Sequence, residues 1–184
     1  MGRSLNLKHF RKGVRKVANV AGSPARRDNR RMAALLTGAI QMPDGTWVRG
    51  RGLRTPAPGG PLPEFGLYLG SARLRRRHET TLEWPHEWVR WPDFLLPLDW
   101  NAAAASIVDL RERARTGRRV EVACNGGVGR TGTVMACLAT LAGLSPDGAV
   151  AWVREHHNHG AVETPWQRRW VTWFSANSPT PSDL

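Results

Sequence analysis

The chain has 184 residues, nine of them Trp, and 41% hydrophobic side chains, which suits one compact domain with a real core plus a tail. No apolar run approaches the ~20 residues that a membrane span needs, and the basic N-terminus lacks the apolar stretch of a signal peptide, so neither is expected. The net charge of +12 is uneven: residues 1–31 carry ten Lys/Arg against one acid, Asp28, so most of the excess belongs to that arm.

In the arm, Leu7, Phe10, Val14, Val17 and Ala21 fall at spacings of three and four. That pattern predicts a short basic amphipathic helix, suited to an anionic partner, either nucleic acid or a membrane surface. The competing reading is a solvated, mostly disordered extension. Residues 32–63 read as transitional. Met32 to Ile40 is expected to be a short helix, Asp44-Gly45 a turn and Thr46 to Arg49 a short strand. Thr55 to Pro63, with four prolines and two glycines, is a loop. The folded domain is expected to begin near Asp44 or only at Glu64, with the main domain over 64–175 and a disordered tail over 176–184.

Phe65 to Gly70 is predicted to be a buried strand. Arg73, Arg75, Arg76 and Arg77 follow as a second basic cluster, read either as a solvated surface or as an attractor for phosphorylated substrates. Glu87 to Trp91 is another strand. Trp91-Pro92-Asp93-Phe94-Leu95-Leu96-Pro97 reads as a turn in which Asp93 either caps the backbone or serves as a mobile carboxylic acid. Asp99 is the fallback acid. Asn101 is expected to cap a helix that Gly117 ends near Thr116.

Val120 to Cys124 is the predicted central strand, and a helix is expected over Gly132 to Leu144. Between them lies Cys124-Asn125-Gly126-Gly127-Val128-Gly129-Arg130-Thr131. Glycines let successive backbone N–H groups turn inward, and the following helix points its positive end at the same spot, so the loop suits an anion. Arg130 adds a planar fork of donors matched to two phosphate oxygens. The same field favours a thiolate at Cys124. The bland alternative is a structural Cys at a strand–turn–helix corner, or a loop that grips a phosphate without chemistry. Cys124 and Cys137 are too few for a disulfide framework, and a reactive thiol argues for a reducing, cytoplasmic setting.

Ser145-Pro146-Asp147 starts the next helix. His156, His157 and His159 at its end read as a surface helix end rather than a metal site, because Gly160 interrupts the face and no Cys or acidic partner lies close. Thr164, Pro165 and Gln167 form the N-terminal signature of the last helix.

The stretch 124–133 resembles the C-x5-R-[ST]-G signature of the cysteine-dependent protein tyrosine and dual-specificity phosphatases. Trp91 to Pro97 resembles their W-P-D-x-x-x-P loop, with Asp93 lying 31 residues before Cys124. Ala161 to Gln167 is similar to their late G-x-[IV]-E-T-x-x-Q stretch. The resemblance covers roughly residues 64–175 and implies an α/β fold, a central mostly parallel sheet flanked by helices. It implies Cys124 as nucleophile, Asp93 as general acid and then base, and Arg130 on the phosphate with the backbone of Asn125, Gly126, Gly127, Val128 and Gly129. It implies that Thr131 donates to the sulfur and that Gln167 sits near the loop. Neither a metal nor an organic cofactor is implied. One departure stands out: the family usually carries His just before the Cys, and here it is Ala123. The loop interior holds no Lys or Arg, which disfavours a phosphoinositide and leaves a phosphorylated protein, phosphotyrosine first. Two further readings are a phosphate-binding pseudophosphatase or adaptor, and an RNA 5′-phosphatase that uses the basic arm.

Overall fold

The computed structural model describes residues 35–178. The arm over 1–31, with the helix expected there, and the last residues of the tail lie outside the described residues.

β1 (Ala39–Gln41) and β2 (Trp47–Gly52) form a hairpin. Asp44 closes its turn by accepting from the Thr46 N–H at 3.1 Å and the Thr46 hydroxyl at 2.6 Å. The helix expected over Met32 to Ile40 is absent from residue 35 on. Gly38 adopts φ 79°, a left-handed conformation that stops a helical run, and the Ala39 N–H turns back to the Leu36 carbonyl at 2.9 Å. The segment read as transitional supplies two strands, so the sheet begins at Ala39 rather than at Glu64.

After the proline-rich loop come β3 (Phe65–Gly70), with every residue buried, and α1 (Ala72–His78), capped by Ser71. A single 3-10 turn precedes β4 (His86–Arg90). α2 (Trp100–Arg115) follows, capped not by Asn101 but by Asp99, whose carboxylate accepts from the Ala102 N–H at 2.9 Å. Gly117, at φ 83°, ends it. β5 (Val120–Cys124) leads into α3 (Gly129–Leu141), which starts a turn earlier than its apolar run suggests. α4 (Pro146–His156) and α5 (Pro165–Asn177) complete the described chain, with Ser145 and Thr164 as their caps. No helix among the described residues is long and apolar enough to cross a membrane.

The five strands are ordered β1-β2-β5-β3-β4, and only β1 runs antiparallel to its neighbour. The α/β architecture expected from the sequence is the one observed. Its two faces are unequal. Val120, Val122 and Cys124 of β5 point into the main core, which the apolar sides of α2 to α5 fill. Glu121 and Ala123, one residue out of phase, point to the thinner face covered by Leu53, Leu82 and α1.

Glu121 is therefore a buried carboxylate three residues before Cys124. Its oxygens accept from Arg49 Nη2 at 2.6 Å, Arg51 Nε at 2.9 Å and the Tyr68 hydroxyl at 2.5 Å. Gly66 lies opposite Glu121 in the sheet, and a Cβ there would sit 2.5 Å from that hydroxyl, so only glycine leaves Tyr68 room. Burial alone pushes the Glu121 carboxyl up, but the bonds and charges of Arg51, the Tyr68 hydroxyl and Arg49 together hold it below the usual carboxylate range.

Breaking one partner of a buried ion pair costs about 3–5 kcal/mol. Glu121→Ala is expected to lower unfolding free energy by that much in urea titrations, because it strands two arginines. With the folded-state pKa depressed, the Glu121 contribution is present above an unfolded-state pKa of about 4.3 and is lost as pH falls through the lower folded value. The gap between wild type and Glu121→Ala should therefore close on acidification below pH ~4, read as melting temperature against pH.

Candidate active site

β5 is the middle strand of the sheet, with parallel partners on both sides. Ligands of such sheets bind beyond the carboxyl ends of central strands, and Cys124 stands at that end, 2% exposed. The chain then turns through residues 125–128 into α3, all of whose residues are buried. The helix's first N–H groups thus point their partial positive charge toward the loop that follows Cys124.

Local bonds hold the turn. The Gly127 N–H donates to the Cys124 sulfur at 3.2 Å. The Cys124 N–H donates to the Thr131 hydroxyl oxygen at 2.9 Å. Thr131 is thus tied to the backbone of the cysteine, whereas the resemblance has it donating to the sulfur. The strand extension beyond β2 props the outer side: Leu53 N–H reaches the Cys124 carbonyl at 2.9 Å, and Arg54 N–H reaches the Asn125 carbonyl at 3.1 Å. Gly127 is the tightest point. It adopts φ 77°, and a Cβ on it would lie 2.5 Å from the Gly52 nitrogen.

A contact the sequence did not disclose secures the same residue. His157, just past the end of α4, places Nε2 2.8 Å from the Gly127 carbonyl. Burial lowers the affinity of this imidazole for a second proton, and the bond to the carbonyl pushes the other way; on balance its pKa falls. The ring is then neutral at pH 7, and Nε2–H donates to the carbonyl. His156 instead stacks on Trp152, ring centroids 4.4 Å apart. Among the described residues no three His, Cys, Asp or Glu side chains gather as a metal would require.

The Arg130 guanidinium is buried, 4% exposed, and joins the loop to the segment at 91–97. Its Nη1 donates to the Trp91 carbonyl at 2.9 Å, and its Nη2 meets the Asp93 carboxylate at 2.7 Å. Trp91 is itself fixed: its ring N–H donates to the Leu95 carbonyl at 2.8 Å, and its ring packs edge-on against Trp170 of α5 at 5.0 Å. Between these anchors Phe94 adopts φ 57°, unusual for a bulky residue, and it and Leu95 are exposed. The structure thus brings Asp93 and Arg130 into contact, with Arg130 at the start of the helix that the loop after Cys124 leads into. Asp99, the fallback acid, is occupied as a helix cap.

A cavity of about 210 Å³ opens beside the Asp93–Arg130 pair, lined by Asp93, Asn125 and Arg130 and by Ser71, Arg73, Leu74 and Arg77; Cys124 is next to Asn125 in the chain but does not itself line it. Gln167 does not line it. That side chain is fully buried, and its Oε1 accepts from the Glu163 N–H at 2.8 Å, one residue before the cap; only the Thr164 half of the expected capping box forms, its hydroxyl accepting from the Gln167 N–H at 3.3 Å. Its Nε2 has no partner among the described atoms.

A thiol at the foot of a backbone cradle, with an arginine beside it and an acid on a neighbouring loop, defines a class of anion-handling α/β proteins. The comparisons with known proteins agree on which. Residues 98–177 match a family model described as the "Swiss Army Knife" DSP-PTPase phosphatase domain. An uncharacterized protein of Methanocaldococcus jannaschii is 34% identical over 111 residues, covering 57% of this chain and 71% of that protein. Among solved structures, the active form of Tk-PTP covers 76% of this chain and 97% of its own, with 21% identity and a TM-score of 0.59. Kinase associated phosphatase, with its catalytic-site cysteine replaced by serine, covers 60% and 68%, with 18% identity and a TM-score of 0.52. Residues 98–177 thus carry the match to a DSP-PTPase phosphatase domain, and the fold of the described chain is that of these phosphatases.

Because a Cβ at position 127 meets fixed backbone and a strained φ costs about 1–3 kcal/mol, Gly127→Ala is expected to open the cradle. Calorimetric titration with inorganic phosphate should show at least ~5-fold weaker binding than wild type, the lower end of that range.

Proposed function

We propose that the protein is a phosphomonoester hydrolase acting on phosphorylated proteins, phosphotyrosine first, through a phosphocysteine intermediate. The observation that supports this reading best is the Asp93–Arg130 contact at 2.7 Å, because it ties the candidate acid to the arginine of the loop that begins at Cys124.

In the first step the Cys124 thiolate attacks phosphorus. A sulfur–phosphorus bond forms, the ester oxygen–phosphorus bond breaks, and Asp93 gives its proton to the departing oxygen. Arg130 and the N–H groups of residues 125–130 hold the three equatorial oxygens, where charge is concentrated. In the second step Asp93 takes a proton from water as that water attacks phosphorus, and the thiolate leaves. Thr131, on the Cys124 amide, keeps the sulfur's backbone in register through both steps.

Arg130 also explains the timing. The Asp93 carboxylate rests on the guanidinium that a phosphate dianion would claim. An incoming dianion competes with Asp93 for that guanidinium, so phosphate binding and release of the acid are coupled. The phosphoprotein preference rests on two features of the sequence. The loop interior carries no Lys or Arg, and the acid loop is of the W-P-D type. A thiolate nucleophile also implies a compartment that keeps cysteines reduced, the cytoplasm.

Cys124→Ser is expected to abolish turnover of p-nitrophenyl phosphate while keeping phosphate binding. Asp93→Asn should lower kcat by ~10²–10⁴. Equal turnover by wild type and Cys124→Ser would remove Cys124 as nucleophile. A wild type that binds phosphopeptides with no turnover would instead make the protein an adaptor.

A further inference from the structure

The cavity that Asp93, Asn125 and Arg130 line is walled on another side by α1 and its cap, through Ser71, Arg73, Leu74 and Arg77. Arg73 and Arg77 stand on that wall four residues apart, so their side chains share one face of the helix. Neither forms an ion pair among the described residues, whereas Arg75 on the same helix is tied to Glu79 at 2.6 Å. The only acid lining the cavity is Asp93, and it is already paired with Arg130. Two exposed guanidinium groups thus stand at the rim of the cavity with no ion-pair partner among the described residues.

Resting on the phosphatase reading, we infer that the Arg73–Arg77 face is a specificity subsite. It takes a second anionic group on a phosphoprotein substrate, beside the phosphoester that enters the cradle. The group is a carboxylate of a neighbouring acidic residue or the phosphate of a second modified residue. Both are acceptors that the arginine fork binds in the same way, and a dianionic phosphate is held more strongly than a carboxylate. The subsite selects substrates and does not touch the reacting atoms. It accounts for the basic run at 73–77, which neither the core nor the cradle uses.

The test is binding to the full chain carrying Cys124→Ser, which requires no turnover. Three phosphotyrosine peptides are compared by calorimetry: one with neutral flanks, one with Asp/Glu on both flanks, one with a flanking phosphoserine. The expected preference for acidic over neutral flanks is about 5- to 10-fold at low salt, larger for the second phosphate, and falling as salt rises. The double substitution Arg73→Ala/Arg77→Ala should bring both ratios near one. Arg76→Ala, on the same helix but away from the cavity, should leave them unchanged. An equal preference in wild type and the double variant, or an equal loss on Arg76→Ala, would overturn the subsite, the latter by showing a diffuse field. Turnover by wild type of all three peptides at one rate, with no binding preference, sinks the subsite and leaves the phosphatase reading standing. Preference without turnover does the reverse.

Discussion

A single buried cation organises this site. Arg130 lies at the start of α3 with almost no solvent exposure, a position that is costly for a charge unless its donors are matched. Its partners come from a segment 39 and 37 residues earlier in the chain: the Trp91 carbonyl and the Asp93 carboxylate. The arginine therefore does two things with one side chain. It places positive charge at the cradle, and it clamps the loop that carries the acid. Without the clamp, Asp93 would sit on an exposed turn with a strained neighbour, Phe94, and nothing to fix its direction.

The remaining supports converge on the backbone of residues 124–128 from three sides. β2 and its extension hold the outer edge through Leu53 and Arg54, α4 reaches in through His157, and Thr131 reaches back from α3. This bears on the departure at position 123. Ala123 faces the thin side of the sheet, packed with Leu53 and Tyr68, where a larger ring would compete with the Glu121 cluster. Loop organisation that a residue next to the cysteine might supply comes here from a histidine 33 residues later, at the carbonyl of the loop's tightest glycine. A neutral imidazole serves that purpose well, since it donates one bond without adding a charge to the wall.

Much of this was legible in the sequence wherever one contiguous stretch carried both pattern and consequence. Phe65 to Gly70 is uniformly apolar or glycine and is a buried strand. Val120 to Cys124, followed by glycines, an arginine and a hydroxyl residue, could only be a strand, a tight turn and a helix. Legibility failed where meaning lay in pairing across the chain. Trp47 to Gly52 carries arginines at alternate positions, which looks like surface until Glu121, 70 residues on, is seen to lie beside both. The run of histidines at 156–159 offered no way to tell that one of the three meets the phosphate loop. The early helix failed for a different reason: Gly38 and the Asp44 turn fold the segment into a hairpin, and pairing with β2 outweighs its weak helical pattern.

The acid loop shows how rigidity and motion divide here. Its ends are fixed, Trp91 under Trp170 and Pro97 in the interior, while Phe94 and Leu95 lie in solvent with a left-handed backbone between them. Movement is therefore confined to a few residues around Asp93, and its range is set by the tether to Arg130. A ligand that takes Arg130's second nitrogen releases that tether while the first nitrogen keeps the Trp91 carbonyl. An anion that reaches the cradle therefore competes with Asp93 for that second nitrogen.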